Sequence, residues 1–142
     1  MRNWSAIDIS SDGSKVVACA NGGYIYTSTD GGITWNERIT AGFRAWTGVA
    51  FYSAGIIACE YGGGIWTSTD NGVTWSQDLS ATVSAARNWN SLAVSPDLTR
   101  IILTAYNTTS NIVTWYSGTW TERTGNTRYT YKAAISNTGY IS

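Results

Sequence analysis

Residues 28–35 read Ser-Thr-Asp-Gly-Gly-Ile-Thr-Trp, and residues 68–75 read Ser-Thr-Asp-Asn-Gly-Val-Thr-Trp, forty positions later. Self-similarity at a fixed period restricts a chain to architectures that stack or circulate copies of one supersecondary unit. Aligned on the octapeptide, three segments emerge, opening at Arg2 (RNWSAIDIS), Arg44 (RAWTGVAFY) and Arg87 (RNWNSLAVS). A fourth opens at Arg128 as RYTYKAAIS, and the Arg-to-Arg spacings are 42, 43 and 41.

Each segment alternates short β-branched and aromatic runs with turn residues. In the first, strands are expected near 5–9, 15–20, 24–28 and 34–39, separated by SSDGS, ANGG and TDGG, where Asp, Asn and Gly supply tight or positive-φ positions. No helical periodicity competes. Four strands per unit of about forty residues describes one blade of a β-propeller. The expected fold is therefore all-β, a single partial propeller of four-stranded antiparallel blades with about three and a half blades in this chain. Blade 1 is expected at about 2–43, blade 2 at about 44–86, blade 3 at about 87–127 and a half blade at 128–142. Propellers typically close with about 4–8 blades, so the ring is expected to be completed by self-association or by adjoining blades.

The octapeptide Ser-x-Asp-x-Gly-x-Thr-Trp resembles the Asp-box, or BNR repeat, of sialidases, the sortilin ectodomain, some xyloglucan-degrading enzymes and photosystem assembly factors. The resemblance implies that Ser28, Asp30, Gly32 and Trp35, with Ser68, Asp70, Gly72 and Trp75, are structural. They would form the turn between the third and fourth strands of a blade. The chemistry suits that place: Asp30 and Asp70 can accept hydrogen bonds from their own hairpin, the glycines relieve the φ constraint, and the tryptophans can pack between blades. The third segment departs from the pattern. Its TWYSGTW reaches the corresponding Trp120 with about three residues fewer and no Asp, so another device must hold that hairpin.

Nine basic residues cancel nine acidic ones, so the positive field that draws nucleic acid or a membrane surface is missing, and neither is an expected partner. No apolar run is long enough to cross a membrane, and MRNWSAIDIS lacks the apolar stretch of a secretory signal. A soluble chain is expected, its compartment open. Cys19 and Cys59 occupy the same position in consecutive segments. Equivalent Cα atoms of neighbouring blades should be more than about 7 Å apart, too far for a disulfide, so both read as small core residues with free thiols. With no histidine and cysteines in separate blades, no metal site and no cofactor are expected.

Candidate ligand-binding residues fall on the face opposite the octapeptide turns. The loops joining one blade to the next carry Arg2, Arg44, Arg87 and Arg128, followed by Trp4, Trp46 and Trp89. Arginine offers a planar fork of donors for carboxylates, and by the resemblance to sialidases an arc of arginines suggests an acidic glycan. The other reading is that a residue recurring in every blade serves the blade. The loops between second and third strands add Glu60, Tyr61, Tyr106 and the insertion at 107–111.

No catalytic residues are assigned. A two-carboxylate glycosidase needs its carboxyl groups about 5–10 Å apart across a cleft; of the acidic residues only Glu60 is expected on that face, while Glu37 and Glu122 recur on presumed outer strands. The expected function is a non-catalytic binding or scaffolding propeller that meets a glycan or a protein surface. The alternatives are a fragment of a sialidase-like or other glycoside hydrolase, and a structural subunit of a fibre or viral appendage.

Overall fold

A computed structural model describes residues 1–79, 87–105 and 112–123. Tyr106, the insertion at 107–111, Arg128 and the half blade at 128–142 lie outside the described residues. Those described form twelve antiparallel strands and no α-helix, and no helix is long and apolar enough to cross a membrane.

The strands group in fours. The first four are β1 (Trp4–Ile9), β2 (Val16–Gly23), β3 (Ile25–Ser28) and β4 (Asn36–Arg38). A 3-10 turn, Ile39–Ala41, leads to β5 (Arg44–Tyr52), β6 (Gly55–Gly63), β7 (Ile65–Ser68) and β8 (Ser76–Gln77). The third group is β9 (Arg87–Val94), β10 (Arg100–Ala105), β11 (Ile112–Tyr116) and β12 (Thr119–Arg123). Within each group successive strands pair as a meander. The fold is a partial β-propeller, each four-stranded meander a blade.

Two strands differ in length from the expectation, each for a local reason. β4 is short because residues 29–35 are held in a turn by their own side chains. β2 runs on to Gly23 because its end pairs with the next blade, Asn21 opposite Ala45 and Gly23 opposite Arg44. The second joint repeats this with Tyr61 opposite Asn88 and Gly63 opposite Arg87. As a result the second and third strands are separated by one residue, Tyr24 or Gly64, and the loops expected there are tight turns.

The core lies between blades. Val17, Cys19, Ile25 and Ala41 of blade 1 pack on Trp46, Val49, Ile56 and Ala58 of blade 2. Ile57, Cys59 and Ile65 of blade 2 pack in the same way on Trp89, Ile101, Leu103 and Val113 of blade 3. A hydroxyl stitches each joint: Ser5 Oγ donates to Trp46 O at 2.7 Å, and Thr47 Oγ1 donates to Trp89 O at 2.8 Å. Both cysteines are free and buried. Burial pushes the Cys19 thiol up to about 11 and the Cys59 thiol up to about 12, which suits inert core residues.

Candidate functional site

The hydrogen-bonding register places the two ends of each blade. The β5–β6 connection and the turn at 69–75 lie at one end, Arg44 and Gly63 at the other. The octapeptide turns and the arginines thus occupy opposite faces.

Both octapeptides build the same network. Ser28 Oγ donates to Asp30 Oδ1 at 2.7 Å and accepts from Gly32 N at 2.9 Å; Ser68 Oγ repeats this with Asp70 and Gly72, both at 2.8 Å. Asp30 and Asp70 accept from the backbone N–H of Thr34 and Thr74 at 2.9 Å and from their hydroxyls. Trp35 and Trp75 donate to the carbonyls of Gly32 and Gly72 at 2.9 Å, where φ is +94° and +83°. Trp75 then packs on the first joint, whereas Trp35 is exposed. Blade 3 uses a different device: Ser117 and Gly118, at φ +49° and +84°, form a two-residue turn with both central residues left-handed, as tight hairpins require. Trp120 donates instead to Asp78 Oδ2 of blade 2 at 2.7 Å.

The donors on these aspartates hold their carboxyls down. Thr34 depresses Asp30, Thr74 depresses Asp70, and Ser10 depresses Asp12 in the β1–β2 turn, each from 3.8 to about 2. Below about pH 4 the unfolded chain takes up protons that the folded chain refuses until about pH 2. Stability is therefore expected to be complete above pH 4 and to fall as the pH drops towards 2. Thermal melts between about pH 5 and 2 check this: the Asp30→Asn, Asp70→Asn double variant should show a flatter decline than the parent.

On the opposite face each described arginine meets one carboxylate and one aromatic ring. Arg2 lies 4.8 Å over the ring of Tyr26, donates to its hydroxyl at 2.9 Å and pairs with Glu37 at 3.7 Å. Arg44 lies 4.0 Å over Trp66, donates to Ala41 O at 2.9 Å and pairs with Glu60 at 3.4 Å. Arg87 lies 5.5 Å from Trp89 and pairs with Glu122 at 2.7 Å.

The carboxylate does not come from the same strand each time. In blades 1 and 3 it stands on the fourth strand, as Glu37 and Glu122. In blade 2 that position is Gln77, and the acid is supplied by Glu60 on β6, where blades 1 and 3 have Ala20 and Ala105. Glu60 was expected on a rim loop. It is instead 8% exposed within β6, because its carboxylate also accepts from Trp66 Nε1 at 2.9 Å and Gly64 N at 3.3 Å. The exchange of acid between strands was legible in the aligned repeats, where Gln77 breaks the Glu37 and Glu122 series. Tyr61 is on the same face and 52% exposed.

The remaining carboxylates are also engaged. Asp8 accepts from Phe51 N at 2.8 Å, Asp97 accepts from the Ser95 hydroxyl and Thr99 N, and Asp78 holds Trp120. All nine acidic residues of the chain thus have a donor or a cation beside them. Among the described residues no group of three or more His, Cys, Asp or Glu is arranged to hold a metal ion.

No protein-family model matches the sequence, and no curated protein matches it. Among solved structures, a GH74 enzyme of Niastella koreensis superposes with a TM-score of 0.77 at 20% identity over 96% of this chain and 25% of its own. The Dos1 propeller gives 0.72 at 18% over 96% of this chain and 40% of its own. YCF48 bound to D1 peptide gives 0.69 at 14% over 97% and 44%. These likenesses show the fold, and the chain spans less than half the length of each of these structures.

Proposed function

We propose that this chain is part of a non-catalytic propeller that docks another polypeptide on its arginine face, with the octapeptide turns acting as structural Asp-boxes on the other. The observation that carries this reading is the engagement of every carboxylate. General acid–base work at a glycosidic bond needs two carboxyl groups aimed into a cleft, and the acids here serve turns, joints and arginines. The same pairing satisfies Arg2, Arg44 and Arg87, so a ligand carboxylate would compete with an existing partner at each. That weakens the acidic-glycan reading and favours a surface read through exposed aromatics such as Tyr61 and through backbone at the strand ends. YCF48, of the same fold, is described bound to a peptide.

A second reading, a segment of a glycoside hydrolase whose catalytic groups lie on further blades, is favoured by the superposition on the GH74 enzyme. Incubation with fluorogenic sialosides, glucosides and xyloglucan oligosaccharides separates the two. The expected result is release no faster than buffer; turnover would overturn the binding reading. In parallel, selection from a displayed random-peptide library should yield binders that lose about tenfold in affinity on Tyr61→Ala, the share of a moderate interface aromatic.

A further inference from the structure

The repeat lets one position be compared in three surroundings. Trp46 and Trp89, which blades 1 and 2 cover, are both 0% exposed; Trp4, the same residue of blade 1, is 53% exposed. Val49 is 4% exposed, and its counterpart Ile7 is 67% exposed. Ile9 and Trp35 are open as well. Together with Arg2, Tyr26 and Glu37 they bound a cleft of about 740 Å³. An exposed apolar patch of this kind marks a surface built to be covered. Its charges are already settled, since Arg2 and Glu37 pair with each other, and its edge is the strand end that β2 and β6 hold in the two joints within the chain.

We infer that a second copy of this chain occupies this face, entering by its C-terminal side, the direction in which blade 1 covers blade 2 and blade 2 covers blade 3. The inference deepens the binding-module reading above and rests on it for the site's setting. Three features select the occupant. The face continues, residue for residue, a joint the chain makes twice with itself, so its complement is a blade of this same repeat. The contact is head-to-tail, and such contacts form rings when the rotation closes. Two copies contribute six described blades, within the usual range of about four to eight, and three copies would exceed it.

The test is the mass in solution by light scattering after size exclusion, from about 1 to 100 µM, a span that captures a micromolar to submicromolar joint. A species of twice 15.4 kDa is expected. Trp4→Glu and Ile7→Arg, at exposed positions where the fold of one chain does not depend on them, should each shift the dimer midpoint upward by about a hundredfold, as central interface positions do. Ile33→Glu, on the exposed octapeptide turn, should leave it unchanged. A monomer across the whole range, open-ended assembly beyond two copies, or an equal effect of Ile33→Glu would overturn the inference. Sugar turnover with an intact dimer would instead sink only the binding reading.

Discussion

Trp46→Ala is expected to destabilise the single chain by about 3–5 kcal/mol, while Trp4→Ala, the same substitution one blade earlier, costs under about 1 kcal/mol. Trp46 is wholly buried. It meets Trp66 edge-on at 6.3 Å and Trp75 at 6.5 Å, donates to Gly42 O at 3.3 Å and fills the joint between Val17, Cys19 and Ile25 on one side and Ile56 and Ala58 on the other. Removing the indole empties a cavity bounded by two rigid sheets that cannot collapse into it. Trp4 rests on Tyr26 at 5.0 Å with its other face in water, so its loss removes one aromatic contact. Urea unfolding of both variants at the same dilute concentration measures the difference. Equal losses would show that the joint does not carry the chain's stability.

Glu60→Ala is the second large effect, about 2–3 kcal/mol, lowering the melting temperature by about 5–10 °C in a chain of this size. The estimate sits below the usual cost of breaking a buried pair because the Arg44 side chain is 33% exposed and water screens part of the charge. The substitution leaves Arg44, Trp66 Nε1 and Gly64 N without their acceptor. The repeat supplies its own rescue. Blades 1 and 3 carry the acid on the fourth strand, so adding Gln77→Glu to Glu60→Ala should rebuild their arrangement and recover at least half of the loss. Gly63→Ala should reproduce the defect, since a Cβ there would stand 2.2 Å from Glu60 Cδ. Melting curves of the three variants decide the matter. A double variant no better than Glu60→Ala would mean that the carboxylate is tied to β6 by Trp66 and not by the arginine.

The arginines show where reading a repeat stops. Their recurrence was plain, and so were the two roles it allowed, a ligand arc or a blade joint. Neither spacing nor composition could weigh them, because the weight depends on what stands beside each guanidinium. Glu37 and Glu122 reach their arginines from 35 residues away in each case, and Glu60 from 16. Only the register of adjacent strands brings those separations together. The double change Arg44→Ala with Arg87→Ala, which a ligand arc would tolerate with an unchanged melting temperature, removes two such pairs from two joints.

The turns were legible to the atom. Asp, Gly, Thr and Trp at fixed offsets close their network within eight residues, so local sequence specifies Asp30 and Asp70 as it does the left-handed Gly32 and Gly72. The four-stranded period and the buried, unpaired cysteines followed in the same way, from alternation and from the separation of equivalent blades. What depended on packing was every property that belongs to the space between blades. The extension of β2 and β6 across the joint, the burial of Glu60, and the contrast between a covered Trp46 and an open Trp4 are the instances. A repeat unit carries the same residues in each copy, and a residue's exposure is set by its neighbour, so identical positions become core or surface only once the blades are assembled.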